Sequence, residues 1–465
     1  MFVSSRRDSV AAELGRLEVS ERHGNPGSRS IELAFVRFPS TAQNPGPPIV
    51  YLAGGPGGSG IGAARGTRFS LFMAMRQLGD VIALDQRGTG MSKPNLMCTQ
   101  RYDLPLDRPL SGELMVHHME DSVRACAAYW RSQGVDLAAY NTNESADDLE
   151  RLRVALGAPR LRLWGISYGT HLALAMIRRH QESIERAILA GVEGPDQTLK
   201  LPSNTERLLE RVASLAARDS VVRAAVPDLV GALRTALARL ERTPVIVRIP
   251  DSGTPAADDS VEIVLGRYDV AVQMANLLGS AETQAYFPGF VRAAAQHDYS
   301  LLARLAVAFG DRRGGSVGSA MSAAMDCASG GTLARRRQIE RESRTTTLGD
   351  ATNPVPSSLC EAWAISELND DFRSPVHSPT PVLFISGTLD LNTPPSNADE
   401  VMKGFANGHH LVIEGVAHSD PLFLASPEIL KRMLAFMAGR PVSTEPILVP
   451  VRFRVMLSDL ERHLR

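Results

Sequence analysis

A long apolar run is missing from this sequence. No stretch approaches the ~20 apolar residues that a membrane-spanning helix needs, so no membrane span is expected. The first residues, MFVSSRRDSVAAELG, contain arginines but lack the apolar segment that follows them in a signal peptide. The localisation stays open: secreted or periplasmic if the N-terminus has been trimmed, and cytoplasmic otherwise.

The chain also lacks an excess of charge of either sign. Its 465 residues include 50 Lys and Arg against 51 Asp and Glu, which gives a formal net charge of −1. This balance gives no support for binding of nucleic acids or of anionic membrane surfaces. The basic tracts at residues 335–344 and 460–465 have no interleaved aromatic residues, and we expect both to form solvated helix faces.

Cysteine is scarce, and none of the four cysteines belongs to a CxxC pair, so a zinc or redox site is not expected. Cys98 and Cys126 lie in one local segment, and Cys327 and Cys360 lie in another. Two disulfides in an oxidising compartment and four buried thiols in a cytosolic protein explain this count equally well.

Short apolar runs that alternate with helical patterns predict an α/β architecture with parallel βαβ units. Runs typical of buried strands begin at residues 31, 49, 80, 161, 185, 381 and 409. Residues 145–157 have the leucine spacing of an amphipathic helix that ends at a glycine. Residues 197–377 are rich in Ala, Leu and Arg at helical spacing, with a Pro- and Asp-rich patch at 248–260. A mainly helical insertion is therefore expected to interrupt the sheet.

One serine occupies a special position between a predicted strand and a predicted helix. GISYG (165–169) matches the G-x-S-x-G pattern of a nucleophile elbow, in which a sharp turn requires small neighbours at Gly165 and Gly169. Ser167 is therefore the predicted nucleophile. The backbone N–H of the next residue, Tyr168, points toward a developing oxyanion at the start of the helix.

A serine hydroxyl needs a base and an acid that orients the base, and in this fold they follow the serine in the order acid, then histidine. Asp390 comes directly after one predicted strand and His418 after the next. Because the carboxyl ends of parallel strands share one edge of a sheet, both are predicted to reach Ser167. His409 and His410 begin a strand, and His171 lies on the helix after the elbow, so these three are poorer candidates.

The early glycine-rich loop LAGGPGGSG (52–60) lacks the G-K-[ST] ending of a phosphate-binding loop. Its backbone N–H groups, with Gly55 first and Gly54 as the alternative, are predicted to complete the oxyanion hole. Asp85 and Arg87 in DQRGTGMS (85–92) are interpreted as structural residues that hold this region through charge-assisted hydrogen bonds.

The motifs GGPGGSG, DQRGTGMS, GISYGT, GTLD with TPP, and GVAH occur in an order that resembles the prolyl iminopeptidase and tripeptidyl aminopeptidase family of α/β-hydrolases. The resemblance covers residues 30–195 and 355–440, and the larger, tripeptidyl-like branch is the more similar. It implies an α/β-hydrolase fold with a mostly parallel central sheet, helices on both sides and a helical cap after the sixth strand. The corresponding boundaries are 1–196 and 378–465 for the core and 197–377 for the cap.

The resemblance also implies Ser167 as nucleophile, Asp390 as acid and His418 as base, with no metal or organic cofactor. The segments MDC (325–327) and CEAW (360–363) look like the family's cysteine-bearing cap exit, which favours disulfides Cys98–Cys126 and Cys327–Cys360. The chain departs from the family at two positions. Ala53 stands where the family commonly has histidine, and Ser329 stands where the family has an acidic residue.

By this resemblance the substrate is a small peptide that is cleaved from its free N-terminus. An enzyme of this kind needs a carboxylate near the nucleophile to bind the terminal ammonium, and Glu193 is the first candidate, before Asp196, Asp326 and Glu361. A carboxylesterase or other small-acyl hydrolase with the same triad is the alternative. A non-catalytic binding protein on this fold is the third hypothesis. The oligomeric state is left open.

Overall fold

The protein is described here by a computed structural model that covers residues 1–250, 260–308, 315–353, 357–458 and 460. Most of the Pro- and Asp-rich patch and all but the first residue of the basic tract at 460–465 lie outside the described residues. None of the described helices is both long and apolar enough to cross a membrane.

Nine strands of the described chain form one sheet. They are β1 (Glu13–Ser20), β2 (Ser30–Phe38), β3 (Gly46–Leu52), β4 (Gly79–Leu84), β5 (Leu161–Ser167), β6 (Ile184–Val192), β7 (Val382–Gly387), β8 (Gly408–Glu414) and β9 (Ile447–Leu448). Their spatial order is β9-β8-β7-β6-β5-β3-β4-β2-β1. All neighbours are parallel except β1 with β2 and β2 with β4.

The predicted strands correspond to β2 through β8, and the mostly parallel sheet confirms the expected fold class. β7 is buried along its whole length and β5 is buried up to Ser167. Strands that are covered on both faces read as continuous apolar runs, which is why the sequence signals them clearly. The antiparallel edge strand β1 was not predicted, because most of its residues are exposed and its apolar side chains only alternate with polar ones.

Helices lie on both faces of this sheet and fill the segment between β6 and β7. Before the segment they are Gly60–Arg65, Phe69–Met75, Gly112–Ser132, Thr142–Ala155 and Tyr168–His180. Within it they are Pro202–Ala216, Ser220–Ala225, Leu229–Arg242, Arg267–Gly279, Ala281–Gln284, Phe287–Ala295, Ser300–Ala308, Ala320–Ser329, Leu333–Ser343, Leu359–Trp363 and Asp370–Arg373. After β7 they are Pro395–Met402, Pro421–Leu424 and Pro427–Met437. The predicted helix at 145–157 corresponds to Thr142–Ala155.

Three hydrophobic clusters form the core, two on the faces of the sheet and one among the inserted helices. On β3 the alternation is visible: Val50 and Leu52 enter one face cluster, while Ile49 and Tyr51 enter the other. This two-residue period is the pattern of a strand with helices on both sides.

The inserted segment is not uniform. Residues 202–308 share their own apolar cluster and include an antiparallel pair of strands, Val245–Pro250 with Ser260–Leu265, which the helical pattern did not predict. Residues 320–328 and 359–376 instead pack into the sheet cluster, for example through Met321 and Trp363. The domain boundaries at 197 and 377 stay a prediction, within which we propose 202–308 as the compact helical unit.

Two further features tie the chain together. Both expected disulfides are formed, Cys98–Cys126 and Cys327–Cys360, with Cα–Cα distances of 5.7 and 5.5 Å. After β9 the apolar side chains of residues 451–457 pack against the helical cluster, and the Arg454 N–H donates to the Ala285 carbonyl at 2.7 Å. The C-terminal segment therefore connects the edge of the sheet to the insertion.

Candidate active site

Ser167 lies at the end of β5 and immediately before the helix Tyr168–His180, in a backbone conformation that side chains rarely adopt (φ 55°, ψ −129°). The two glycines of the motif are required by packing at this turn. A Cβ on Gly165 would lie 2.7 Å from the Gly169 carbonyl oxygen, and a Cβ on Gly169 would lie 2.1 Å from the Leu52 carbonyl oxygen. The elbow therefore packs directly against β3, which is why both flanking positions of the Gly-x-Ser-x-Gly pattern are glycine.

The glycine-rich loop after β3 lies beside Ser167. A Cβ on Gly54 would lie 2.9 Å from Ser167 Cβ and 3.5 Å from its Oγ, so Gly54 is the nearer of the two predicted oxyanion residues. Gly55 follows with φ 122°, a conformation that favours glycine. The loop is held by Asp85, whose carboxylate accepts from Ser59 Oγ (2.6 Å) and from the Ile61 N–H (3.0 Å). This supports the interpretation of Asp85 as structural.

Tyr168 begins the helix after the elbow, so its amide lies at the positive end of the helix dipole. Its side chain points away into the core, where the hydroxyl is 3.1 Å from both Thr142 Oγ1 and Met325 Sδ. Burial raises the pKa of this hydroxyl, so it stays protonated. The residue can therefore offer its backbone N–H to the site while its ring anchors the helix.

Asp390 and His418 are brought together by the loops after β7 and β8. His418 Nδ1 lies 2.7 Å from Asp390 Oδ2, and the aspartate is buried behind the imidazole. Thr393 completes the arrangement: its N–H donates to Asp390 Oδ1 (2.9 Å) and its hydroxyl donates to Asp390 Oδ2 (2.8 Å). Gly191 allows the approach, because a Cβ there would lie 2.8 Å from Thr393 Oγ1 and 3.1 Å from His418 Cε1.

Ser167 and His418 line one cavity of about 620 Å³, here called the Ser167 cavity. Gly54, Gly55 and Glu193 line it as well. Among the described residues no hydrogen bond joins Ser167 Oγ to His418, and such contacts are often loose before substrate binds. The structure thus places Ser167, His418, Gly54, Gly55 and Glu193 around one cavity. Asp390 lies directly behind His418.

An ion-pair network holds the His418 loop at the mouth of this cavity. Arg68 Nε donates to Asp420 Oδ1 (2.7 Å), its Nη2 donates to Ser419 Oγ (3.1 Å), and it also binds the Tyr51 hydroxyl. The guanidinium lies 5.5 Å from the centre of the Phe423 ring. Sequence reasoning missed Arg68, because its partners on the His418 loop, Ser419 and Asp420, are more than 350 positions away.

The candidate carboxylates for an ammonium take different positions. Glu193 is almost buried, accepts from Thr198 Oγ1 (3.2 Å) and lines the Ser167 cavity. Asp196 is used structurally, because it accepts from the N–H and the hydroxyl of Thr332, both at 2.7 Å. Asp326 and Glu361 line a second cavity of about 960 Å³. Lys200, which the sequence did not single out, lines both cavities.

Asp326 has unusual electrostatics. Its side chain is exposed and opens on the second cavity. Partial loss of hydration beside the surrounding protein and, second, the charge of Glu193 raise the pKa of Asp326 above the usual range of an aspartate, and the charge of Lys200 lowers it. Ser329, where the family has an acidic residue, is buried and lies 3.2 Å from His171 Nε2, so His171 packs as expected.

A second Ser–His–Asp chain shows how access separates a candidate nucleophile from a structural serine. His410 lies 3.0 Å from both Ser386 Oγ and Asp399 Oδ1. Ser386, however, lies within β7 and is completely buried, whereas Ser167 opens on a cavity. A substrate carbonyl can therefore approach Ser167 but not Ser386.

Comparisons with known proteins agree with this fold. A family model for the alpha/beta hydrolase fold matches residues 47–254, and a model described as TAP-like protein matches residues 346–426. The serine protease Hip1 of Mycobacterium tuberculosis is 31% identical over 188 residues, which is 39% of this chain and 36% of that protein.

Two other relatives carry aminopeptidase names. The tripeptidyl aminopeptidase of Streptomyces lividans is 29% identical over 196 residues, 40% of this chain and 36% of that protein. A probable proline iminopeptidase of Streptomyces coelicolor is 31% identical over 153 residues, 33% of this chain and 35% of that protein. The chain therefore spans about a third of the length of the curated relatives it matches. Its sheet and these matches together show the α/β-hydrolase fold, and the chain resembles the tripeptidyl aminopeptidase and proline iminopeptidase enzymes.

Proposed function

We propose that this α/β-hydrolase is a serine peptidase that cleaves small peptides from their free N-terminus through an acyl-enzyme. One observation carries the proposal: Ser167, the imidazole of the His418–Asp390 pair and Glu193 open on the same cavity. A nucleophile, a base and a carboxylate for an ammonium are the groups that this reaction requires.

The chemistry follows from the positions of these groups. His418 takes the proton of the Ser167 hydroxyl as its oxygen bonds to the substrate carbonyl carbon, and Asp390 stabilises the imidazolium that forms. The backbone N–H groups of Tyr168 and of Gly54 or Gly55 bind the oxyanion, an interaction that contributes roughly 3–4 kcal/mol per donor in comparable sites. His418 then protonates the leaving amine as the scissile C–N bond breaks. Water, deprotonated by His418, attacks the ester and releases the acyl group and the serine.

Glu193 is proposed to bind the terminal ammonium. Its carboxylate is almost buried and accepts a hydrogen bond from Thr198, so it has remaining acceptor capacity toward the cavity. A hydrogen bond between an ammonium and such a carboxylate contributes roughly 1.5–3 kcal/mol. Acetylation of the substrate removes the charge and leaves the carboxylate without this partner.

The test compares free and N-acetylated peptidyl amides, with simple esters as a third class, on wild type and on Glu193→Gln. Acetylation is expected to lower kcat/KM of the wild type about ten- to a hundredfold, since each 1.4 kcal/mol is a factor of ten. Glu193→Gln should lose a similar factor on free peptides and little on acetylated ones. Glu210→Gln, at an exposed helix position, is the matched control and should behave as wild type.

Three other outcomes of this test would contradict parts of the proposal. Equal hydrolysis of free and blocked peptides together with rapid ester hydrolysis would contradict the aminopeptidase proposal and favour the esterase alternative. A sensitivity to acetylation that survives Glu193→Gln would assign the ammonium to another carboxylate. No hydrolysis and no labelling by a fluorophosphonate would indicate a binding protein.

A further inference from the structure

The Ser167 cavity and the second cavity meet at one side chain, that of Lys200, which lines both. Its backbone is fixed by Asn353: the Lys200 N–H donates to Asn353 Oδ1 (2.9 Å), and Asn353 Nδ2 donates to the Lys200 carbonyl (2.8 Å). Glu193 lies on one side of this junction and Asp326 on the other. The backbone of Lys200 is thus fixed at the point where the two cavities meet.

The other two basic side chains that line these cavities are neutralised by ion pairs. Arg68 pairs with Asp420 and Arg336 pairs with Glu367. Within the described part of the chain, Lys200 makes no ion pair within 4.0 Å. It is coupled to the Asp326 carboxyl, whose pKa its charge lowers.

The two carboxylates, in turn, have few partners of their own. Glu193 accepts a hydrogen bond from Thr198 and lies 4.0 Å from a nitrogen of the buried His171. The Asp326 carboxyl accepts no hydrogen bond from any described residue. Glu193 is nearly buried, and a buried charge is stable only when it is balanced, whereas Asp326 is exposed to the second cavity. Two carboxylates with one resident ammonium leave one position for a positive charge that the ligand brings.

We propose that Lys200 is a specificity-determining residue that fills one of two cation positions between Glu193 and Asp326. The site then accepts peptides with a single positive charge at the N-terminus and disfavours peptides whose first side chain adds a second one. This inference rests on the proposed function, because it takes the substrate ammonium to be the ligand of Glu193.

The test uses two peptidyl amides that differ only in the first residue, norleucine or lysine. Both side chains have four carbons, and that of lysine carries an ammonium on the last one. The measured quantity is the ratio of kcat/KM for the lysine substrate to that for the norleucine substrate. Wild type should prefer norleucine. Lys200→Met should shift the ratio toward lysine about tenfold or more, because it vacates the second cation position.

Three further variants complete the design. Lys200→Arg keeps the charge and should keep the wild-type ratio. Lys431→Met removes an exposed lysine on a distant helix and should do the same. Asp326→Asn in the Lys200→Met background should cancel the gain for lysine, since the second carboxylate is then gone; this double-mutant cycle isolates the pairwise effect. Lys200→Gln replaces Lys200→Met if the latter does not fold.

An unchanged ratio in Lys200→Met or Lys200→Gln overturns the inference, even where overall activity falls, because general damage to the site slows both substrates equally. A shift that Asp326→Asn does not cancel overturns it too. Failure of the proposed function gives a different signature, in which wild type cleaves acetylated and free peptides at the same rate.

Discussion

Ser167 holds a backbone conformation that costs on the order of 1–3 kcal/mol for a residue with a side chain, and the packing of two glycines maintains it. The strained turn places the hydroxyl at the cavity wall, where the backbone N–H groups around it can meet an oxyanion. Ser386 has similar polar neighbours but sits in a regular strand without access. The two serines are therefore a natural pair of test and control.

Ser167→Ala should lower kcat by about a thousandfold or more, because it removes the nucleophile while the oxyanion donors stay in place. Ser386→Ala removes a hydroxyl with the same kind of histidine partner and should leave kcat within about twofold of wild type. Steady-state kinetics on one peptide substrate and a thermal melt of each variant provide the measurement. A Ser167→Ala protein that keeps a tenth of the wild-type activity would contradict the assignment of the nucleophile.

Thr393 acts through Asp390 as a positioning residue. Thr393→Val removes the hydroxyl that donates to Asp390 Oδ2 but keeps the backbone N–H that donates to Oδ1. A hydrogen bond to a charged group is worth about 1.5–3 kcal/mol, so kcat should fall about ten- to a hundredfold. Thr393→Ser should restore most of it.

The separate effects on kcat and KM distinguish positioning by Thr393 from general damage. Thr393→Val should lower kcat and leave KM within about twofold of wild type, and Thr393→Ser should restore kcat. An unchanged kcat in Thr393→Val would show that the hydroxyl does not support the aspartate.

The nucleophile elbow depends on close contact between its own backbone and that of β3. Gly169→Ala places a methyl group 2.1 Å from the Leu52 carbonyl oxygen, and both β3 and the helix are fixed by the sheet. Although alanine favours helices over glycine, the variant should lose about 1–3 kcal/mol of unfolding free energy, since overpacking outweighs propensity here. Urea denaturation followed by circular dichroism gives the value.

Gly27→Ala is the control for this substitution. Gly27 is exposed, and a Cβ there would meet only Asn25 Oδ1 at 3.6 Å. Its unfolding free energy should stay within about 0.5 kcal/mol of wild type, as for most surface substitutions. Equal stability of Gly169→Ala and Gly27→Ala would mean that the elbow can relax away from β3.

The insertion and the catalytic loops pack as one unit across the molecule. Gln284 of the insertion donates from its side chain to the carbonyl of Leu389, the residue before Asp390, at 2.9 Å. Leu389, Leu391 and Ala417, which flank Asp390 and His418, belong to the apolar cluster of the inserted helices. The inserted helices therefore support the loops that carry Asp390 and His418.

The disulfides are expected to stabilise the whole molecule. They join residues 28 and 33 positions apart, and loops of this size correspond to about 3–4 kcal/mol each in the chain-entropy account. Replacing either pair by serine should lower the unfolding free energy by about that amount. Titration of the unfolded, unreduced wild-type protein should find no free thiol, and four free thiols would refute the pairing.

The two pairs should differ in their effect on activity. Cys327 and Cys360 line the second cavity, whereas Cys98 and Cys126 do not line either described cavity. Removing Cys327–Cys360 should therefore change KM as well as stability, and removing Cys98–Cys126 should change stability alone. Equal KM values for the two double variants would contradict this distinction.

Much of the fold and of the site could be predicted because the signals are local. Strands β2 through β8 appear in the sequence as apolar runs, because parallel strands are covered on both faces. The elbow appears as Gly-x-Ser-x-Gly, because backbone contacts at its two glycines leave no room for a Cβ. Asp390 and His418 were placed correctly on loops after β7 and β8 because those positions follow from the order of the strands.

The remaining features depend on partners that are distant in the chain. Thr393 and Lys200 look like ordinary loop residues until the fold brings His418 or Asp326 beside them. No local apolar pattern marks the exposed edge strand β1 or the strand pair in the insertion. None marks the packing of residues 320–328 and 359–376 on the sheet either. Neighbouring residues determine the periodicity of the elements and the steric limits of the backbone, so the sequence alone reveals both. Charge balance and shared cavities arise only when the tertiary structure packs together segments more than a hundred residues apart.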